Sequence, residues 1–214
     1  MQIRHKNREI YFREQAECTQ KYVIPYIEQV LCIKPNLRIL EIGCGEGGNL
    51  KPFLDIGCHC VGIDIDAAQL EKAKAFFANH SLNKNLRLIA NDIYKVSPNE
   101  IGYFDLIILR DVIEHLPNQE LFMHQLKCFM HSESVVFFGF PVWCNPFGGH
   151  QQICRNKWLS HTPWLHLLPN RLYKKALQLG GESASTIKAL LDIKATGISL
   201  SRFESILHKE QYQI

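Results

Sequence analysis

The sequence predicts an α/β fold: a doubly wound, mostly parallel sheet with helices on both faces. Three observations carry that prediction. Short, branched apolar runs alternate with helical patterns along the chain. The first such run ends in a glycine-rich turn, "LEIGCGEGG" (40–48). Polar and acidic residues then recur just after successive apolar runs, at Asp64, Asp92 and Asp111. A parallel sheet collects all of its strand C-termini on one edge, so these residues are expected to meet there.

Taken in order, "YVIPYIEQVL" reads as a helix, with Pro25 in its first turn or at a kink. "LRILEI" is the first strand, continuously apolar as befits a strand covered on both faces. A helix is expected from about Gly47 to Leu54. "HCVGIDI" is the second strand, and "AAQLEKAKAFFANH" a helix with apolar residues at helical spacing. "NLRLIAND" and "FDLIILRD" are strands three and four, "QELFMHQLKCFM" is a helix, and "SVVFFGFP" is strand five. "SLSRFESILHKE" reads as the last helix, capped by Ser199 or Ser201, and "QYQI" as the start of a sixth strand.

Composition narrows the functional classes. The 214 residues are 46% hydrophobic and 21% charged, with a net charge of +3. That is enough chain for a real core and too little charge to argue for nucleic acid. There is no apolar run long enough to span a bilayer, and the start, "MQIRHKNREIYFREQ", is too charged for a secretory signal. Eight cysteines are present, of which only Cys58 and Cys60 are close in sequence, and nothing matches zinc-ligand spacing. The expectation is a cytoplasmic protein with reduced thiols and no metal.

The glycine turn leaves two ligand chemistries open. Gly43, Gly45 and Gly48 satisfy G-x-G-x-x-G, and Asp64 follows about 20 residues after the turn, as in dinucleotide-binding folds. Yet Glu41 precedes the turn, and Asp92 and Asp111 add negative charge at neighbouring strand ends. Carboxylates so placed would repel a pyrophosphate and attract a cation. S-adenosylmethionine, with a sulfonium and an ammonium and no phosphate, fits.

At these residues the sequence resembles a family. "LRILEIGCGEGGNL" is similar to the first motif of the class I S-adenosylmethionine-dependent methyltransferases, "VGIDID" to the second and "ANDI" to the third. "FDLIILRDVIEHL" resembles their motif on strand four and the helix after it. The likeness spans residues 38 to about 140. It lies nearest the small-molecule branch that includes quinone-pathway enzymes and type 11/12 methyltransferase domains. It implies a Rossmann-like core, S-adenosyl-L-methionine as cofactor and S-adenosyl-L-homocysteine as product. It implies roles as well. Gly43, Cys44 and Gly45 let the backbone approach the cofactor, and Glu41 holds its amino end. Asp64 accepts from both ribose hydroxyls. Ile65 and Ile93 sandwich the adenine, Asp92 accepts from its amino group, and Arg110 and Asp111 line the methionine end. Each also has a plain reading as a cap or turn residue. His115, in "IEHL", and His150, in "NPFGGHQQ", are candidate bases; either can equally be a structural histidine.

From Ser134 to Gly181 the chain holds no Asp or Glu, and it carries Arg155, Lys157, Arg171, Lys174, Lys175 and all three tryptophans, Trp143, Trp158 and Trp164. A basic, aromatic cap suits a small-molecule acceptor with an anionic group and an apolar or ring body. The alternative is a cap whose tryptophans only pack. The expected organisation is an N-terminal helical lid at 1–36, with Tyr11, Phe12 and Gln15 facing the cofactor unless that helix merely packs on the sheet's flank. A binding core at 37–141, a substrate-capping insertion at 142–195, and a last helix with the start of strand six at 196–214 complete it. The pattern stops before a seventh strand, which points to a shortened chain or to a homodimer covering the sheet edge. Beside a methyltransferase, two classes stay open: a catalytically silent S-adenosylmethionine-binding module, and, less favoured, an NAD-dependent oxidoreductase. No nucleic-acid partner and no integral membrane association are expected.

Overall fold

The computed structural model describes residues 7–214. The first six residues of the expected N-terminal lid lie outside the described residues. The chain divides into two compact units. One is a sheet unit formed by the chain up to Arg110 together with Gln125–Gly139; the other is a helical unit formed by Asp111–His124 and Phe140–Ile214. The N-terminal helices belong to the sheet unit, and the strand-four turn, the cap and the C-terminal helix share the helical unit.

In the sheet unit, α1 (Arg8–Cys18) is capped by Asn7, whose side chain accepts from Ile10 N. A π-helical turn (Thr19–Val23) follows and runs into the short α2 (Ile24–Ile27), where Pro25 sits in the first turn. The prolyl ring cannot donate to the helical ladder, and the wider π turn ends where it enters. Strand β1 (Arg38–Ile42) leads into the glycine turn. Helix α3 (Lys51–Ile56) starts four residues later than expected from sequence, because Gly47 takes φ 79°, which no helix continues through. Then come β2 (His59–Asp64), α4 (Ala67–Phe77), β3 (Leu86–Ala90), α5 (Pro98–Ile101), β4 (Phe104–Arg110) and β5 (Met130–Gly139).

The five strands pair in the order β3-β2-β1-β4-β5, all parallel. Strand order reverses between β1 and β4, the doubly wound arrangement expected from sequence. Consecutive residues of the central strands are buried, Ile39 and Leu40 on β1 and Leu106, Ile107 and Ile108 on β4. Burial of both odd and even positions means that both faces of the sheet are covered. Helix α4 packs on β2 and β3, and α3 on β2. Phe12 of α1 stacks on Phe76 at 4.5 Å and meets Phe77 edge-on at 5.5 Å, so its ring belongs to the core. Cys58 and Cys60 are buried there too, their thiols pushed up by burial.

The unit boundary falls within α6 (Gln119–Leu126). The helical unit continues with α7 (Lys157–His161), α8 (Asn170–Leu179), α9 (Ala184–Thr196) and α10 (Leu200–Lys209). Its core is Cys154, Tyr173, Leu177, Ile187 and Leu190. Tyr173 and Leu177 stand four apart on α8, as do the residues of one helical face. Ser199 caps α10 by accepting from Arg202 N, as expected. The expected start of strand six at "QYQI" does not form. The Tyr212 hydroxyl instead donates to Met123 O at 2.8 Å and its N–H to Leu207 O, which anchors the tail on helices. Among the described residues the sheet has five strands.

Candidate functional site

The C-terminal ends of the parallel strands bring Glu41, Gly43, Cys44, Gly45, Asp64, Ile65, Asp92, Ile93 and Arg110 to one edge of the sheet unit. The backbone of the glycine turn is largely self-satisfied. Gly43 N and Cys44 N both donate to Ile63 O (2.8 and 3.1 Å), and Gly47 N donates to Cys44 O (2.8 Å). Gly45 N donates to Asp64 Oδ2 at 2.7 Å, and Asp66 N to Asp64 Oδ1 at 2.8 Å. Asp64 is thereby oriented by two backbone amides, each of its oxygens keeping a free lone pair. Gly45 sits at φ 53°, a conformation that calls for glycine, and the nearest atom to a Cβ there would be the flexible end of Gln69, Oε1 at 2.9 Å.

Behind the turn lies a buried polar network that the sequence did not reveal. The Glu41 carboxyl is 1% exposed. Its Oε1 accepts from Asn49 Nδ2 at 2.7 Å, and its Oε2 is buried without a partner. Asn49 Oδ1 accepts from Arg110 Nη1 (2.7 Å) and from the Thr19 hydroxyl (3.0 Å). Arg110 also reaches Thr19 Oγ1 at 3.2 Å and Cys18 Sγ at 3.7 Å. The π turn is what carries Thr19 into this network. Burial pushes the Glu41 carboxyl up to about 8, against the lowering effects of the Asn49 hydrogen bond and the Arg110 charge and with a further push from Asp64. Burial also holds the Cys44 thiol far up, helped by Glu41 and Asp64, so Cys44 is a neutral packing group and no nucleophile. Asn49 and Thr19 carried one sequence signal, a polar residue directly after "GG" and one directly after a helix.

The remaining strand-end residues are arranged more loosely. Ile65 is 79% exposed, an apolar side chain standing free at a strand end. Asp92 caps the 3-10 turn Ile93–Lys95 by accepting from Tyr94 N at 3.1 Å, so its plain role as a cap is realised. Gln15 lies against Gly48, where its Oε1 would stand 2.7 Å from an added Cβ.

Asp111, His115 and His150 belong to the helical unit. Asp111 takes the left-handed conformation, φ 55°, immediately after β4. A 3-10 turn, Ile113–His115, follows, and Gln119 Nε2 pins it by donating to Ile113 O (3.1 Å) and Thr196 O (2.6 Å). The turn buries Glu114, at 2% exposure, and leaves His115 half open. His150 is also left-handed, φ 57°. Ahead of it, Gly149 lies so close to His166 that no Cβ fits. The two histidine rings meet edge-on at 5.2 Å. Burial raises the Glu114 carboxyl to about 7, with Asp111 adding to the rise. Burial lowers both histidines, His115 further lowered by His150, while Asp111 opposes the shift in each. Glu114 was missed from sequence; a lone acid inside the apolar "VIEHL" was its signal.

In the cap, Trp143 packs edge-on to His166 at 4.5 Å, and His166 Nε2 lies 2.7 Å from Trp143 O. Lys194 Nζ stands over the Trp143 ring at 5.4 Å. Trp143 is thus structural, whereas Trp158 is 86% exposed and Trp164 half exposed.

A five-stranded parallel α/β sheet with acids and glycines at its strand ends is a Rossmann-like architecture, the one that class I methyltransferases are built on. A methyltransferase-domain family model matches residues 12–179, and the chain belongs to that family of S-adenosylmethionine-dependent methyltransferases. It is 27% identical over 192 residues to a ubiquinone biosynthesis O-methyltransferase of Bartonella tribocorum, covering 79% of this chain and 76% of that one. A protein of the same name from Brucella melitensis is 28% identical over 125 residues, and there the chain spans about half (49%) of the relative's length. Among solved structures, the plantazolicin methyltransferase BpumL, in complex with a desmethylPZN analog and SAH, matches with a TM-score of 0.57 at 20% identity. That match covers 95% of this chain and 65% of that one, and shows the shared fold. No helix among the described residues is long and apolar enough to cross a membrane.

Proposed function

We propose that this chain transfers the methyl group of S-adenosylmethionine to an oxygen of a small-molecule acceptor with an anionic group and an apolar or ring body. The observation that carries the reading is the state of the glycine turn. The amides of Gly43, Cys44, Gly45 and Gly47 are committed to Ile63 O, Asp64 and Cys44 O, so these four are not offered to a phosphate. The partnerless Glu41 Oε2, by contrast, is an acceptor waiting for a donor, and a ligand ammonium supplies one. A dinucleotide would bring two negative charges to the edge that holds the Asp64 and Asp92 side chains. This disfavours the NAD reading.

The residues present fit the methyl donor. Asp64 would accept from the ribose hydroxyls with its remaining lone pairs, Glu41 would hold the amino end, and Gly43, Cys44 and Gly45 would let the backbone come close. Ile65 and Ile93 would flank the adenine, and Asp92 would accept from its amino group. Arg110 would act through Asn49, fixing the Glu41 side chain, with Asp111 next to it in sequence also assigned to the methionine end. When bound, the cofactor supplies an electrophilic methyl on a sulfonium. The protein's part is to orient the acceptor oxygen in line, exclude water and take up the acceptor's proton. Orientation of this kind supplies up to about 7–11 kcal/mol in well-aligned cases. His115 and His150, whose pKa values burial lowers against the opposing charge of Asp111, are the candidate bases. The oxygen acceptor is supported by the name of the bacterial relatives. The acid-free cap with exposed Trp158 and five Lys or Arg supports an anionic ring-bearing acceptor rather than nucleic acid, since those charges form no dense cluster. We further propose a cytoplasmic homodimer that pairs through the outer strand β5.

Calorimetric titration with S-adenosylhomocysteine and NAD, alongside Asp64→Ala, tests the reading. Micromolar binding of the former, weakened roughly 10- to 100-fold in the variant as loss of charged hydrogen bonds predicts, and none of NAD, is the expected result. Binding of NAD, or S-adenosylhomocysteine binding indifferent to Asp64→Ala, overturns it. Cofactor binding without turnover on any catechol or acidic phenol tested would favour the silent module.

A further inference from the structure

We propose that Glu114, His115 and His150 form a binding site for a divalent transition-metal cation of the zinc type. The three side chains converge in the helical unit with their ligand atoms within 4.8 Å of one another. His115 Nε2 stands 3.7 Å, and His150 Nε2 4.0 Å, from the same oxygen, Glu114 Oε1. Neither Glu114 oxygen has a hydrogen-bond partner, and neither does the buried Nε2 of His150.

A buried carboxylate without donors is costly, and something must compensate it. A proton shared with a histidine would draw the heavy atoms to about 2.7–3.0 Å, well inside the observed separations. A cation centred among the three atoms does not need that contact. Zinc bonds of about 2.0–2.2 Å in tetrahedral array set neighbouring ligand atoms roughly 3.3–3.5 Å apart. The two Glu114–histidine separations would close by about half an ångström to reach that arrangement, and the histidine nitrogens, within 4.8 Å of one another, by at most about 1.5 Å. Asp111 adds negative charge within electrostatic reach of Glu114.

The surrounding scaffold is built to hold this geometry. Gln119 clamps the 3-10 turn that carries Glu114 and His115 through its bonds to Ile113 O and Thr196 O. His150 N donates to Phe147 O at 3.0 Å, and a Cβ on Gly148 would fall 2.6 Å from Trp143 O, so the loop takes one tight path to His150. Trp143 is in turn tied by its N–H to Ile198 O at 2.9 Å. His115 is 41% exposed, which gives an ion a way in.

The donor set selects the metal. Two imidazole nitrogens and one carboxylate oxygen suit Zn²⁺, and by the same softness Co²⁺ or Ni²⁺, whereas Mg²⁺ and Ca²⁺ favour oxygen shells. Three protein ligands leave a fourth position open to an anionic oxygen. The ion-binding proposal itself rests on no property of the methyl donor.

The test uses the full chain, stripped with a chelator and titrated with Co²⁺ and with Zn²⁺. One equivalent of Co²⁺ is expected to give the visible d–d bands of a low-coordinate nitrogen and oxygen site, displaced by Zn²⁺. Glu114→Gln and His150→Asn should each weaken binding by more than the roughly 10–100-fold typical of losing an outer-shell partner. Zn²⁺ should raise the melting temperature of the wild type and not of these variants, while S-adenosylhomocysteine affinity measured on the same samples reports that they are folded. Absence of stoichiometric binding overturns the proposal. So does binding unchanged by Glu114→Gln and His150→Asn, or a thiolate charge-transfer band that assigns the ion to cysteines. Mg²⁺ binding with no Co²⁺ or Zn²⁺ binding also overturns it. Loss of S-adenosylhomocysteine binding with intact metal binding would fault the methyl-donor reading alone.

Discussion

Binding of the methyl donor should release a proton from Glu41. In the free protein this buried carboxyl is pushed up to about 8, so at pH 7 it carries about 0.9 proton. A ligand ammonium meeting its partnerless Oε2 favours the ionised form and lowers that value. A group whose pKa falls on binding gives up its proton, and affinity therefore rises with pH. The expected gain is roughly tenfold per pH unit below about 7.5, flattening above about 8. The direct assay is calorimetry with S-adenosylhomocysteine at pH 7 in phosphate and in Tris, whose ionisation enthalpies differ widely. The observed enthalpies should differ by about 0.9 of that difference. Glu114 is also raised, to about 7, so the assignment needs Glu41→Gln, which keeps an acceptor for Asn49 and cannot ionise. The variant should show no buffer dependence. Equal enthalpies in the two buffers for the wild type would refute the reasoning, and so would a buffer dependence that survives Glu41→Gln.

The same carboxyl sets a stability trend in the free protein. Its folded value lies above the ordinary carboxylate value of 4.5, so its contribution is whole below that pH and is lost as pH rises toward 8. Thermal melts should show wild-type stability falling across this window, by at most about 5 kcal/mol at 1.36 kcal/mol per pKa unit, and Glu41→Gln should fall less. Asn156 accepts from Trp158 N and Leu159 N at the start of α7 and donates to Gly180 O at 3.0 Å. Asn156→Ala should cost about 1–2 kcal/mol, lowering Tm by about 2–4 °C per kcal/mol; an unchanged melt would show that the cap is idle. Sedimentation from micromolar upward should reveal a concentration-dependent dimer, and proline introduced at an outward-facing β5 amide should shift it to monomer; a monomer at all concentrations removes the edge-pairing proposal.

Much of the sheet and its edge was legible in sequence because the rules that place them are local. Branched apolar runs make buried strands, parallel strands end on one edge, and an acid closing one strand can reach the turn closing the next. Asp64 and Gly45 met as those rules require, at 2.7 Å. Some elements were displaced where a local detail intervened, as when Gly47 delayed α3, or where a distant partner did, as when Met123 O captured Tyr212 and no sixth strand began; others shifted at their ends, α6 stopping at Leu126 and β5 starting at Met130. What tertiary structure decided was charge state and convergence. Whether Glu41 holds a proton depends on burial and on Asn49, and on Arg110 and Thr19, which lie 61 and 30 residues from Asn49. That Glu114 and His150 point one at the other depends on Gln119, which clamps Ile113 O to Thr196 O, and on a loop seated on Trp143 and His166. Periodicity and motif spacing describe a chain's neighbours in sequence; desolvation and ligand geometry are set by neighbours in space, and no pattern along this chain announces which those are.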